Sequence, residues 1–77
     1  MKPTIEELNE KLTRASKLLN ESATLIRDLD FYKETNIRKI GEALVIIFDV
    51  THQIYKDHPE LAPEFLKDIY INKKYKE

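Results

Sequence analysis

Eight apolar or small residues recur at alternating intervals of three and four along the first third of the chain: Ile5, Leu8, Leu12, Ala15, Leu19, Ser22, Ile26 and Leu29. Only an α-helix brings such a series onto one side, and the three-four alternation is that of a coiled-coil seam. Thr4-Ile5-Glu6-Glu7 supplies the start. A threonine hydroxyl there can accept from the amide of Glu7, as in a capping box. The spacing therefore predicts a first helix over 4–29, with Glu7/Lys11 and Glu10/Arg14 paired four apart on its wet side. Ala15 and Ser22 thin the middle of the seam, which would let a neighbour approach closely.

Asp30 to Asn36 is the least helical stretch, with Lys33 and Asn36 at the seam positions. We read it as the turn of a helical hairpin in which Thr35 or Asn36 caps the second helix. No glycine or proline forces a break there, and the heptad phase carries on to Ile40, Ile47 and Ile54, so one continuous helix is the alternative. The second helix is expected over 36–57. Its apolar positions are Ile37, Ile40, Ala43, Leu44, Ile46, Ile47, Phe48, Val50, Ile54 and Tyr55. At about 100° per residue they cover an arc of roughly 200°, about twice the width that an ordinary surface helix needs. Gly41 sits inside this helix, at about 1 kcal/mol relative to alanine. His58-Pro59 should end it, since the residue before proline avoids the helical region. Pro63 opens a short third helix over 63–71 with Phe65, Leu66, Ile69 and Tyr70 on one side, and the tail 72–77 is expected to fray.

The fold class that follows is all-α. Two long amphipathic helices form an antiparallel hairpin, a short C-terminal helix follows, and the whole 77 residues make one domain. A chain of this length buries only about 60% of its unfolded surface, and with no cysteine it has neither disulfides nor thiolate zinc sites to compensate. One partner helix cannot cover the broad arc of the second helix, and Leu18 and Leu25 flank the seam of the first. We therefore expect pairing into a homodimeric four-helix-bundle-like assembly. The expected interface is Leu18, Leu25, Ile40, Ala43, Leu44, Ile47, Val50 and Ile54. Phe65, Leu66, Ile69 and Tyr70 are the expected surface for a different partner.

Composition narrows the function classes. Thirteen basic and fourteen acidic residues leave a net charge of −1, so no overall field draws in nucleic acid or an anionic membrane. Two basic clusters, Arg27/Lys33/Arg38/Lys39 beside Phe31 and Tyr32, and Lys67/Lys73/Lys74/Lys76, are the weak case for a nucleic-acid accessory role. The longest apolar run, Ala43 to Phe48, falls far short of the roughly 20 residues that span a bilayer, and no signal-peptide pattern opens the chain. A cytoplasmic protein is the default expectation.

One glycine rules out a glycine-rich phosphate loop. Two histidines and no cysteine give Ser16 or Ser22 few partners for nucleophilic catalysis, so no catalytic residue, no cofactor and no enzyme activity are expected. Asp49-Val50-Thr51-His52 has the carboxylate-x-x-His spacing of di-iron bundles, and Glu21 could face it, so Asp49, His52 and Glu21 are the weak candidates for an inter-chain metal site. They fall on the polar arc, and a solvated helix face is the simpler reading. His58 reads as a loop histidine beside a helix end. The leading expectation is a small oligomeric helical protein that works by binding another protein, as an adaptor, regulator, antitoxin or immunity factor does.

Overall fold

The computed structural model describes residues 2–75. It is helical, with α1 at Ile5–Leu29, α2 at Lys33–Asp57, a single 3-10 turn at Pro59–Leu61 and α3 at Glu64–Ile71. α1 starts as its sequence dictates. Thr4 is extended, its hydroxyl accepts from the Glu7 amide at 3.1 Å, and Glu10 binds Arg14 at 2.9 Å one turn on.

The chain then reverses within three residues, and this is where α2 departs from expectation: it begins at Lys33, not 36. The Phe31 amide donates to the Ile26 carbonyl and the Asp30 amide to the Arg27 carbonyl, a Schellman closure of α1. Asp30 takes the left-handed conformation at φ 52°, and Tyr32 does the same at φ 42°. Two left-handed residues so close together turn the chain fast enough for α2 to restart at once. Neither Thr35 nor Asn36 is the cap. Tyr32 is, without a side-chain hydrogen bond, while the Asn36 side chain donates to the Phe31 carbonyl. α2 ends at Asp57, ahead of His58-Pro59, as the proline requires.

α1 and α2 pack along each other as a helical hairpin. Its core sits at one end only. Among the described residues the buried ones are Thr51, Ile54, Tyr55, Ala62 and Tyr70, and Ile5, Leu12, Leu61, Leu66 and Tyr75 pack around them. These gather where α3 folds back on the end of α2, far from the turn. The inner face of the half near the turn is made of half-buried residues, Ala15, Leu19, Ser22 and Ile26 on α1 with Ile40, Ala43, Leu44 and Ile47 on α2.

Of the tail expected to fray, residues 72–75 follow α3 as a turn, and Lys76 and Glu77 lie outside the described residues. α3 closes with the same Schellman pattern as α1. The Lys74 amide donates to the Ile69 carbonyl, and Lys73 is left-handed at φ 54°. That closure turns Tyr75 inward against Tyr70 and His52.

The shape is flat and open, 41 × 35 × 19 Å, with a radius of gyration of 14.8 Å. A compact domain of this length would have a radius of about 11.5 Å. The accessible surface is 6257 Å² for a 9.1 kDa chain, whereas a compact monomer of that mass exposes about 4,900 Å². A left-handed non-glycine residue costs about 1 kcal/mol. Asp30→Gly is therefore expected to raise stability by no more than about 0.5 kcal/mol in a urea titration, once the roughly 0.5–1 kcal/mol of entropy that glycine adds to the unfolded chain is subtracted. A loss of stability would show that the Asp30 side chain, 3.8 Å from Lys33 Nζ, matters more than its backbone.

Candidate functional site

What the single chain leaves uncovered is apolar. Leu18, Leu25, Leu29, Val45, Ile46 and Phe48 are each half or more exposed, and Phe65 reaches 81%. Monomers seldom leave so many large apolar side chains in water. These residues divide between two flanks of the hairpin. α1 and α2 are both right-handed and run in opposite senses, so the side of α1 with Leu18, Leu25 and Leu29 adjoins the side of α2 with Ile46 and Val50. The other flank carries α3. There Thr13 and Ser16 of α1, Phe48, Thr51 and Tyr55 of α2, and Pro63, Phe65, Leu66 and Tyr70 line a groove of about 380 Å³. No carboxylate, ammonium or guanidinium lines it, so its walls suit an apolar occupant.

The residues expected at interfaces separate accordingly. Leu18, Leu25 and Val50 are exposed on the leucine flank. Ile40, Ala43, Leu44 and Ile47 are half-buried on the inner face, where α1 takes up part of the surface expected for a second chain. Ile54 is a correction: at 5% exposure it belongs to the chain's own core, in the cluster of Tyr55, Ala62 and Tyr70 that Ile5, Leu12 and Leu61 pack against. Tyr70, expected on a partner surface, is likewise buried, and Leu66 and Ile69 are half-buried, which leaves Phe65 as the freely exposed member of that set.

The wall of the groove is held by aromatic packing that sequence reasoning missed. Tyr70 stands edge-on to Tyr55 with ring centres 5.4 Å apart, Tyr75 packs on both Tyr70 and His52, and Lys56 Nζ lies 5.7 Å from the Tyr75 ring centre. The Tyr70 hydroxyl and His52 Nδ1 are 2.7 Å apart, the phenol donating when that nitrogen carries no proton. The one available signal was spacing: His52 and Tyr55 sit three apart on a helix, and a tyrosine-bearing helix follows two prolines later. Burial, and then the neighbouring Tyr55 and Tyr75 phenols, push the Tyr70 phenol above its ordinary value.

The metal candidates do not converge. His52 is turned to Tyr70, Asp49 and Glu21 are exposed, and among the described residues no group of three or more His, Asp or Glu side chains is placed to hold a metal ion. The basic clusters are partly neutralised where they stand. Arg27 meets Asp28 at 3.2 Å, Lys67 meets Glu64 at 3.4 Å and Lys74 meets Asp68 at 2.9 Å. The Lys74 ammonium, by hydrogen bond and by charge, holds the Asp68 carboxyl below its ordinary value, with Asn72 adding to it. His58 faces Glu60 at 3.6 Å. No helix among the described residues is long and apolar enough to cross a membrane. Comparison with family models, with curated proteins and with solved structures finds no match.

The raised Tyr70 value sets a pH dependence. An unfolded tyrosine loses its proton near pH 10, and the folded chain holds this one more tightly. The unfolded state therefore releases the proton first as pH rises, so the stabilisation is complete below about pH 10 and is lost on passing through the folded value. Urea titrations from pH 8 to 11 are expected to show stability falling above pH 10, less steeply in Tyr70→Phe. An equal slope in the variant would mean that Tyr70 is not the group responsible.

Proposed function

We propose that this chain is a self-assembling helical interaction module, with no chemistry of its own, that binds another protein. The observation that carries the reading is the surplus of surface. The chain exposes about 1,400 Å² beyond what a compact monomer of its mass would, and large apolar side chains stand on both flanks of the hairpin half that α3 does not reach. A standard interface takes about 800 Å² from each partner, so one self-contact and part of a second fit within the surplus. Pairing two hairpins along one flank makes a four-helix bundle and gives the half near the turn the core that it lacks. A homodimer is the smallest assembly of that kind. The other flank then remains for a different protein, as in an adaptor, a regulator, an antitoxin or an immunity factor.

Sedimentation equilibrium from about 1 to 200 µM tests the first step. A dimer or larger species is expected across most of that range, because burying about 800 Å² per copy, much of it apolar, at about 25 cal/mol per Å² supports micromolar or tighter association once ordering costs are met. A monomer throughout would contradict the proposal.

A further inference from the structure

We propose that the second copy docks on the flank that carries α3, with α2 crossing its counterpart in the reverse sense at Gly41. This rests on the self-assembly just proposed and names the surface and geometry that it uses.

Gly41 is the starting point. It lies inside a 25-residue helix, and a Cβ built on it would meet nothing within 4 Å. The single chain therefore has no packing reason for glycine at a place where alanine would be better by about 1 kcal/mol. What glycine does allow is close approach of another backbone.

The surroundings of Gly41 fit such an approach. Ile37 and Tyr55 lie about five turns apart on α2 at 3.6 residues per turn, so they share one side, with Phe48 almost in line and Gly41 and Val45 beside them. α3 covers this stripe at Tyr55 and stops short of Phe48, which is half exposed. The open stretch therefore runs from the turn at Lys33 to Phe48, and Gly41 is at its middle. A second α2 laid across it in reverse has the same open length. Ile37 of each copy then faces Val45 of the other, four residues to either side of the crossing. Arg38, at the edge of the stripe, comes alongside Glu42 of the other copy, so the charges complement one another across the two-fold axis.

The same reversal brings the tip of one hairpin to the groove of the other. Phe31 and Tyr32 form an edge-to-face pair, ring centres 5.2 Å apart, and are 56% and 76% exposed. They reach the neighbourhood of Phe48 and Phe65, 50% and 81% exposed, beside the groove without formal charge. At roughly 150–250 Å² per aromatic side chain, these four rings alone offer about 500 Å² per copy towards the ~800 Å² of a standard interface.

The test compares Gly41→Leu with the double variant Leu18→Glu/Leu25→Glu by sedimentation equilibrium, with circular dichroism at each concentration to show that the helices persist. A leucine at 41 has room in the single chain, so it should leave the hairpin intact while weakening association at least about 30-fold, and the leucine-flank variant should associate as the parent does. Dissociation by the glutamates with none by Gly41→Leu would overturn this inference and leave self-assembly standing, through the leucine flank instead. A parent chain that is monomeric throughout would remove self-assembly and this geometry together. Gly41→Cys gives the direct reading in a chain with no other cysteine. Its Cα atoms must come within about 7 Å to bridge, so on mild oxidation it should link to itself across the axis, while Glu21→Cys should not. Equal linking by the two variants would overturn the crossing.

Discussion

The fold depends on the return of α3 onto the end of α2. Two helices side by side bury one seam and leave each helix wet around most of its circumference, which does not offset the cost of ordering the chain. The third helix closes that gap at one end. Pro59 and Pro63 turn the backbone, Ala62 comes down to 4% exposure, and Tyr70 is set among Tyr55, Tyr75 and His52. A phenol that is nearly buried needs a partner for its hydroxyl, and His52 Nδ1 at 2.7 Å is that partner. Everything that resembles a globular core lies around this contact. The remaining length of the hairpin extends from it as a two-helix arm with half-buried inner residues and apolar residues outside.

Much of this was legible in the residues. The threonine cap, the proline stop after His58 and the short third helix are local events, each decided by a few neighbouring side chains, and they stand where the pattern puts them. The seam of α1 holds only in part, since Leu8 and Leu29 are exposed. The turn was placed but drawn too long, because its speed comes from two left-handed residues, Asp30, of a type that tolerates that region, and Tyr32, of a type that rarely enters it. The orientation of α2 about its axis was harder to read. An apolar arc of some 200° is consistent with several choices of inner face, and only the positions of α1 and α3 select among them. Ile54 and Tyr70 moved inward for that reason, while Ile46 and Val45 were left outside. The mixed inner face of α1 has the same origin. Asn9 and Ser16 are half-buried there, with Asn9 Oδ1 lacking a partner, whereas Leu18 and Leu25 stand in solvent.

The candidate site was legible as a kind of surface and not as a set of residues. Excess hydrophobicity in a short cysteine-free chain points to an exposed apolar face, and Leu18, Leu25, Val45, Ile46 and Phe48 are exposed. Which flank is covered, and by what, depends on how far α3 reaches. Stopping short of Phe48, it divides α2 into a finished end and an open one, and that division places Gly41 midway along the open stretch. The proposed assembly thus follows from a length: the arm that α3 leaves bare matches itself when reversed.

Hydrogen exchange followed at increasing protein concentration tests the central claim most directly, namely that half of this chain is completed only by a second copy. Amides near the α3 end, around Ile54 and Tyr55, should be protected at every concentration, while those from Ala15 to Ile26 and from Ile37 to Ile47 should gain protection as concentration rises. Protection that is uniform along both helices and independent of concentration would contradict the account, since the arm would then be stable by itself.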